Sequence, residues 1–122
     1  MPHSPHPNIV VILSDQLRAD CVGCYGNPII RTPHIDALAA SGVRFAQTFA
    51  QHPQCGPSRA ALMTGRYTHV NGAISNHTGM ADNEVTLGEY FQAAGYRSIG
   101  VGKLHLFDRK EKASFTDTML SG

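Results

Sequence analysis

Cys55-Gly56-Pro57-Ser58-Arg59-Ala60-Ala61-Leu62-Met63-Thr64-Gly65 reads as a helix with a chemical group at its start. Pro57 suits the first turn, because its missing N–H would have no intrahelical acceptor there. Ala60, Ala61, Leu62 and Met63 are good helix formers, and Gly65 is a natural stop. Cys55 therefore falls at or just before a helix N-terminus, where unpaired N–H groups and the helix dipole favour an anion. Arg59, one turn later, is close enough to point back at the same spot. A sulfur nucleophile, a group of unpaired donors and a cation on one point suit the handling of an oxyanion. The competing reading makes Cys55 a buried small apolar residue and Arg59 a solvated one; the residues on either side decide between them.

Upstream, Asn8-Ile9-Val10-Val11-Ile12-Leu13 is a continuous β-branched run, the pattern of a strand buried on both faces of a parallel sheet. Asp15 and Gln16 follow it. Ligands of open α/β sheets bind beyond the carboxyl ends of strands, and both side chains offer hard oxygen donors for Ca²⁺, Mg²⁺ or Mn²⁺. Taken alone, Asp15 would as readily cap a turn. Arg18 through Pro28 carries strong turn chemistry. Thr32-Pro33 then opens a helix as N-cap and first position, with Ile35, Leu38 and Ala39 on one face and Gly42 ending it.

Downstream, Asn76 and His77 lie in a polar stretch of the kind that makes turns, and His52-Pro53-Gln54 is given no chemistry. Thr86 and Glu89 form a capping box opening a helix whose apolar face is Leu87, Tyr90, Phe91 and Ala94, and Gly95 stops it. Tyr96 to Val101 reads as a second parallel strand reached through that helix, so the fold class is α/β. Lys103 and His105 follow. If the backbone stays extended they face one side, and a cation beside an imidazole suits binding an anion and moving a proton.

The chain has 122 residues, 42% of them hydrophobic, which is enough for one domain at most. Its formal net charge of +1 gives no general pull toward nucleic acid or membrane. Cys21, Cys24 and Cys55 make no disulfide framework, and one Cys-x-x-Cys without a second pair does not make a structural zinc site. No apolar run approaches the roughly 20 residues needed to span a bilayer. Residues 1–7, with three Pro and two His, read as a flexible lead without the basic start of a secretory signal, which places the protein in the cytoplasm. Residues 8–106 carry the motifs, and residues 107–122 read as a loop or frayed end.

Cys-x-Pro-x-Arg with its Leu/Met-Thr-Gly helix end resembles the signature of the sulfatase family across Cys55–Gly65. Gly95-Tyr96 through Gly102-Lys103-Leu104-His105-Leu106 is similar to that family's second signature. The resemblance implies the N-terminal part of an alkaline-phosphatase-like sandwich, with a mainly parallel central sheet flanked by helices and incomplete in this chain. It implies that Cys55 is oxidised to Cα-formylglycine by a separate formylglycine-generating enzyme. It assigns catalysis to Cys55, Arg59, Lys103 and His105, and a divalent metal, Ca²⁺ first with Mg²⁺ or Mn²⁺ as alternatives, to Asp15, Gln16 and the modified Cys55.

Gln16 stands where most relatives carry Asp. It is shared with choline-sulfatase-like and phosphonate or phosphodiester hydrolase-like branches, as is an active-site Asn that Asn76 resembles. Lys103 and His105, which in the family contact sulfate and the modified residue, favour sulfate esters, with Asn76 as a further substrate contact. The implied reaction uses one hydroxyl of a hydrated aldehyde to attack sulfur while the alcohol leaves, and the second to expel sulfate. The implied partners are a small-molecule or carbohydrate sulfate ester and the maturation enzyme, with neither nucleic acid nor membrane. Alternatives are a phosphonate monoester or phosphodiester hydrolase on the same scaffold, or a non-catalytic fragment with unmodified Cys55. The family's remaining metal ligands, a second Lys and a further His lie downstream of these residues, so this chain alone is expected to be inactive. Asp15, Cys55, Lys103 and His105 are expected to meet around one cation and one anion.

Overall fold

The computed structural model describes residues 6–106 and 114–120. It holds four α-helices, α1 (Pro33–Ser41), α2 (Cys55–Thr64), α3 (Thr68–Asn71) and α4 (Leu87–Ala93), and two strands, β1 (Ile99–Gly102) and β2 (Asp117–Leu120). The chain divides into two compact units, Met1–Thr48 and Phe49–Gly122.

In the first unit, the turn-rich stretch from Arg18 forms two short 3₁₀ turns, Ala19–Cys21 and Gly23–Tyr25, closed by Gly26 at φ 98°. The hydrogen bond from Arg18 holds the Asp20 carboxyl below the usual carboxylate range. Pro33 opens α1 as its composition requires, but Thr32 does not cap it through its side chain. Thr32 Oγ1 instead accepts from Gly23 N–H at 2.8 Å and donates to Asp36 Oδ1, which also takes the Cys24 N–H at 2.6 Å. These bonds tie α1 to the second 3₁₀ turn.

The strand expected at Asn8–Leu13 is not formed: the run is irregular, and its side chains from Ile9 to Leu13 are half or more exposed. A β-branched run becomes a strand only where neighbours complete its ladder, and the one sheet described joins β1 to β2. Likewise Ile35 and Leu38 of α1 lie exposed rather than against a core.

The second unit carries the core. Ala60, Ala73, Met80 and Leu106 are buried together, with Met63, Leu104 and Phe115 packed around them. α2 runs over the span its composition dictates and ends at Gly65, φ 66°, whose N–H reaches back to Ala61 O. Below it, buried Asn71 donates to Thr64 Oγ1 and Arg66 O and accepts from Ala73 N–H. Buried Glu84 is paired with Arg66 at 2.6 Å.

The capping box of α4 is present in full, with Thr86 accepting from Glu89 N–H and Glu89 Oε2 from Thr86 N–H. Its buried contact is not the expected Leu87–Tyr90–Phe91–Ala94 face, of which Leu87, Tyr90 and Ala94 are exposed, but Gly88. A Cβ there would stand 1.7 Å from Ser114 O, so only glycine allows this approach. Ser114 in turn accepts from Thr86 Oγ1 at 2.8 Å.

β1 starts later than the strand expected at Tyr96, and it pairs in parallel with β2, Ile99 opposite Asp117 and Gly102 opposite Leu120. The expectation of a loop or frayed end over 107–122 is corrected at Asp117–Leu120. Arg97 clamps Asp117 with Nε to Oδ2 at 2.8 Å, and Ser98 O receives the Thr116 N–H at 2.8 Å, which sets the register. Residues 1–5, 107–113, 121 and 122 lie outside the described residues. No helix among the described residues is long and apolar enough to cross a membrane.

Candidate active site

Five of the seven residues singled out from the sequence lie in the second unit: Cys55, Arg59, Asn76, Lys103 and His105. Cys55 is the first residue of α2, half-buried, and a free thiol. Its Sγ lies 3.1 Å from His105 Nδ1 and 3.5 Å from Asn76 Oδ1. Either sulfur or imidazole can be the donor in the first contact, according to the tautomer of His105.

The helix start differs from the sequence expectation of a cluster of unpaired donors. Gly56 N–H donates to Asn76 Oδ1 at 3.0 Å, Pro57 has no N–H, and Ser58 N–H is bonded to Gln54 O. Asn76 thus caps the helix from 20 residues away in sequence. Since an N–H must meet an acceptor, that bond also fixes which end of the Asn76 amide faces α2.

Lys103 and His105 do not continue the strand. Gly102 has φ 84° and His105 φ 53°, so the backbone turns twice after β1, and the expectation that the two side chains share a side through extended backbone does not hold. A left-handed φ is strained for a residue with a Cβ and persists where surrounding contacts impose it. Here the turn delivers the His105 ring to Cys55. Arg59 NH1 donates to Lys103 O at 2.6 Å, fastening the same segment to α2. The arginine of the motif therefore holds backbone as well as supplying charge.

Asp15 and Gln16 lie in the first unit. Gln16 takes φ 35°, so the chain bends sharply at this pair. A carboxylate and an amide oxygen suit a hard divalent cation, but they are two donors where Ca²⁺ takes six to eight. No group of three or more His, Cys, Asp or Glu placed to hold a metal occurs among the described residues. The donor chemistry fits a metal and the donor number does not complete its shell.

Sequence reasoning missed Gln54. Its backbone forms the N-cap of α2, while its side-chain Oε1 accepts from Asn76 N–H at 3.1 Å. The available signal was an amide side chain standing one residue before a helix start.

Four helices and a parallel ladder among the described residues, with a cysteine opening a helix beside an imidazole and an amide, define an α/β chain whose polar site is built at a helix start. The sulfatase family model matches residues 7–121, and the chain belongs to that family. It is 42% identical over 113 residues to the steryl-sulfatase of Rattus norvegicus, covering 84% of this chain and 20% of that protein. It is 36% identical over 115 residues to the arylsulfatase of Clostridium perfringens, covering 93% and 24%.

Two solved structures are similar. The structure of BT4656 in complex with its substrate D-glucosamine-2-N,6-O-disulfate matches with TM-score 0.75 and 34% identity, over 82% of this chain and 20% of that one. The phosphonate monoester hydrolase of Agrobacterium radiobacter matches with TM-score 0.76 and 26% identity, over 89% and 25%. This chain spans about a fifth to a quarter of the length of these relatives. The α/β class and the alkaline-phosphatase-like architecture expected from the sequence agree with these neighbours.

Proposed function

We propose that the protein to which this chain belongs hydrolyses sulfate esters at residue 55, converted from cysteine to Cα-formylglycine by a maturation enzyme. The observation that carries this reading is the meeting of Cys55, Asn76 and His105, with Lys103 fastened beside them, at one helix start. Cα-formylglycine supplies an oxygen nucleophile in place of sulfur. Asp15 and Gln16 would supply oxygen donors to a divalent cation, Ca²⁺ before Mg²⁺ or Mn²⁺, which would contribute positive charge for a bound sulfate.

The chain's own residues do the rest. His105 Nδ1, at the residue-55 side chain, accepts or returns a proton there. Lys103 brings a cation for charge on the transferring group, and Arg59 fixes the backbone that carries it. Asn76 has its oxygen on α2, which leaves the Nδ2 donors for a sulfate oxygen. Names such as steryl-sulfatase and the disulfated glucosamine of the solved relative support an organic sulfate ester, small-molecule or carbohydrate, as substrate.

The test is the mass of the tryptic peptide Phe45–Arg59 after production with a formylglycine-generating enzyme, followed by assay of sulfate release. Conversion of the thiol to an aldehyde with turnover is the expected result; an unmodified, inactive thiol would leave only the reading of a non-catalytic protein. Gln16 and the likeness to the phosphonate monoester hydrolase favour a second reading, hydrolysis of phosphonate monoesters or phosphodiesters on the same site. Chromogenic sulfate and phosphonate esters, compared on one preparation, separate the two.

A further inference from the structure

We infer that Gln54 is a positioning residue that sets Asn76, and through it the start of α2, for the chemistry at residue 55; the inference rests on the reading just proposed. Two hydrogen bonds and the chain between their ends close a small ring. Gln54 Oε1 accepts from Asn76 N–H at 3.1 Å, and Asn76 Oδ1 accepts from Gly56 N–H at 3.0 Å. That chain runs from Gln54 to Gly56, with Cys55 between them.

Both sides of the ring are held independently. Gln54 N–H is bonded to His52 Nδ1 at 3.1 Å, which orients the residue from its own side. Asn76 stands in a tight turn closed by the Ser75–Thr78 bridge, a 2.8 Å contact between their hydroxyls, and the His77 N–H bond to Ser75 Oγ. Gly56 completes the fit, because a Cβ there would lie 3.2 Å from Asn76 Oδ1 and 3.7 Å from His105 Nε2. α2 has no capping side chain of its own at Gln54, so the Asn76 oxygen does that work from outside. Without the Gln54 bond, the turn bearing Asn76 keeps its internal bonds but loses its tether to the residue preceding Cys55.

The test compares Gln54→Ala and Gln54→Glu with the unaltered, full-length protein. The second variant retains an oxygen acceptor. Hydrogen–deuterium exchange is followed on peptides covering residues 54–60 and 74–80, with residues 86–93 as control. Gln54→Ala is expected to speed exchange at Gly56 and Asn76 about tenfold, the loss of one hydrogen bond, and Gln54→Glu to restore protection, with the control unmoved. In converted protein, Gln54→Ala is expected to lower kcat about tenfold with KM changed less than about twofold.

Unchanged exchange at Gly56 and Asn76 in Gln54→Ala, or equal loss in both variants, overturns the inference. So does a kcat equal to that of the unaltered protein once peptide mass shows equal conversion of Cys55. Exchange does not depend on conversion or turnover. A protein that stays a thiol and releases no sulfate therefore overturns the proposed function, while exchange still decides whether Gln54 sets Asn76.

Discussion

Cys55 and His105 meet at 3.1 Å although fifty residues separate them, and the left-handed turn at His105 is the local condition of that contact. A histidine in that conformation is held by its surroundings, so removing its side chain leaves residue 55 without its nearest proton partner. His105→Ala in the converted, full-length protein is expected to lower kcat/KM by about a hundredfold or more, with Cys55 conversion unchanged by peptide mass. Activity within a factor of about three of the unaltered protein would remove His105 from the reaction. Asp15→Ala is expected to raise the divalent-metal concentration that restores a chelator-treated enzyme, and an unchanged metal titration would take Asp15 out of the ligand set. The start of α2 was legible because cysteine, proline and arginine at fixed spacing are read locally. Gln54 was not, since an exposed amide acquires its role from a backbone N–H that only the fold brings near.

At the scale of elements, local signals and tertiary ones part company. α2 and α4 run where their start and stop residues place them, because a first-turn proline, a capping box and a closing glycine act within one turn. Asn8–Leu13 and Asp117–Leu120 show the opposite case. The first has the composition of a strand and no ladder; the second lacks an apolar alternation and pairs with β1 because Arg97, Ser98 and Thr116 fix its neighbour. Gly88 is a similar tertiary fact, unreadable as anything but a helix residue of low propensity. Gly88→Ala is expected to destabilise the protein by about 1–3 kcal/mol, since backbone at Ser114 must move to admit the methyl group. Glu89→Ala, removing half of the capping box, is expected to cost about 1 kcal/mol. Denaturant unfolding of the two variants checks both values, and a Gly88→Ala protein as stable as its parent would show that α4 and Ser114 are not in contact.

At the scale of the whole molecule, the burial pattern argues that these residues are at home in a larger assembly of structure. Gly100 is the buried residue of β1, while Val101 beside it and Met119 of β2 are each 69% exposed, so one face of the ladder carries apolar side chains into solvent. Val10 at 79%, Ile12 at 86% and Leu38 at 69% repeat the pattern in the first unit. Lone exposed apolar residues are ordinary, but a β-branched run left without a ladder, such as Ile9 to Ile12, invites pairing with other chains. The relatives, four to five times as long, have further chain available to cover such surfaces. The 122 residues produced in isolation are therefore expected to bind an apolar dye, to self-associate in a sedimentation experiment, and to release no sulfate even when Cys55 is converted. The dye and sedimentation results follow from exposed surface alone, whereas the absent turnover is expected because Asp15 and Gln16 by themselves would leave a divalent metal with an incomplete shell. A monodisperse, dye-silent monomer would refute the first argument, and sulfate release by that monomer would refute the second.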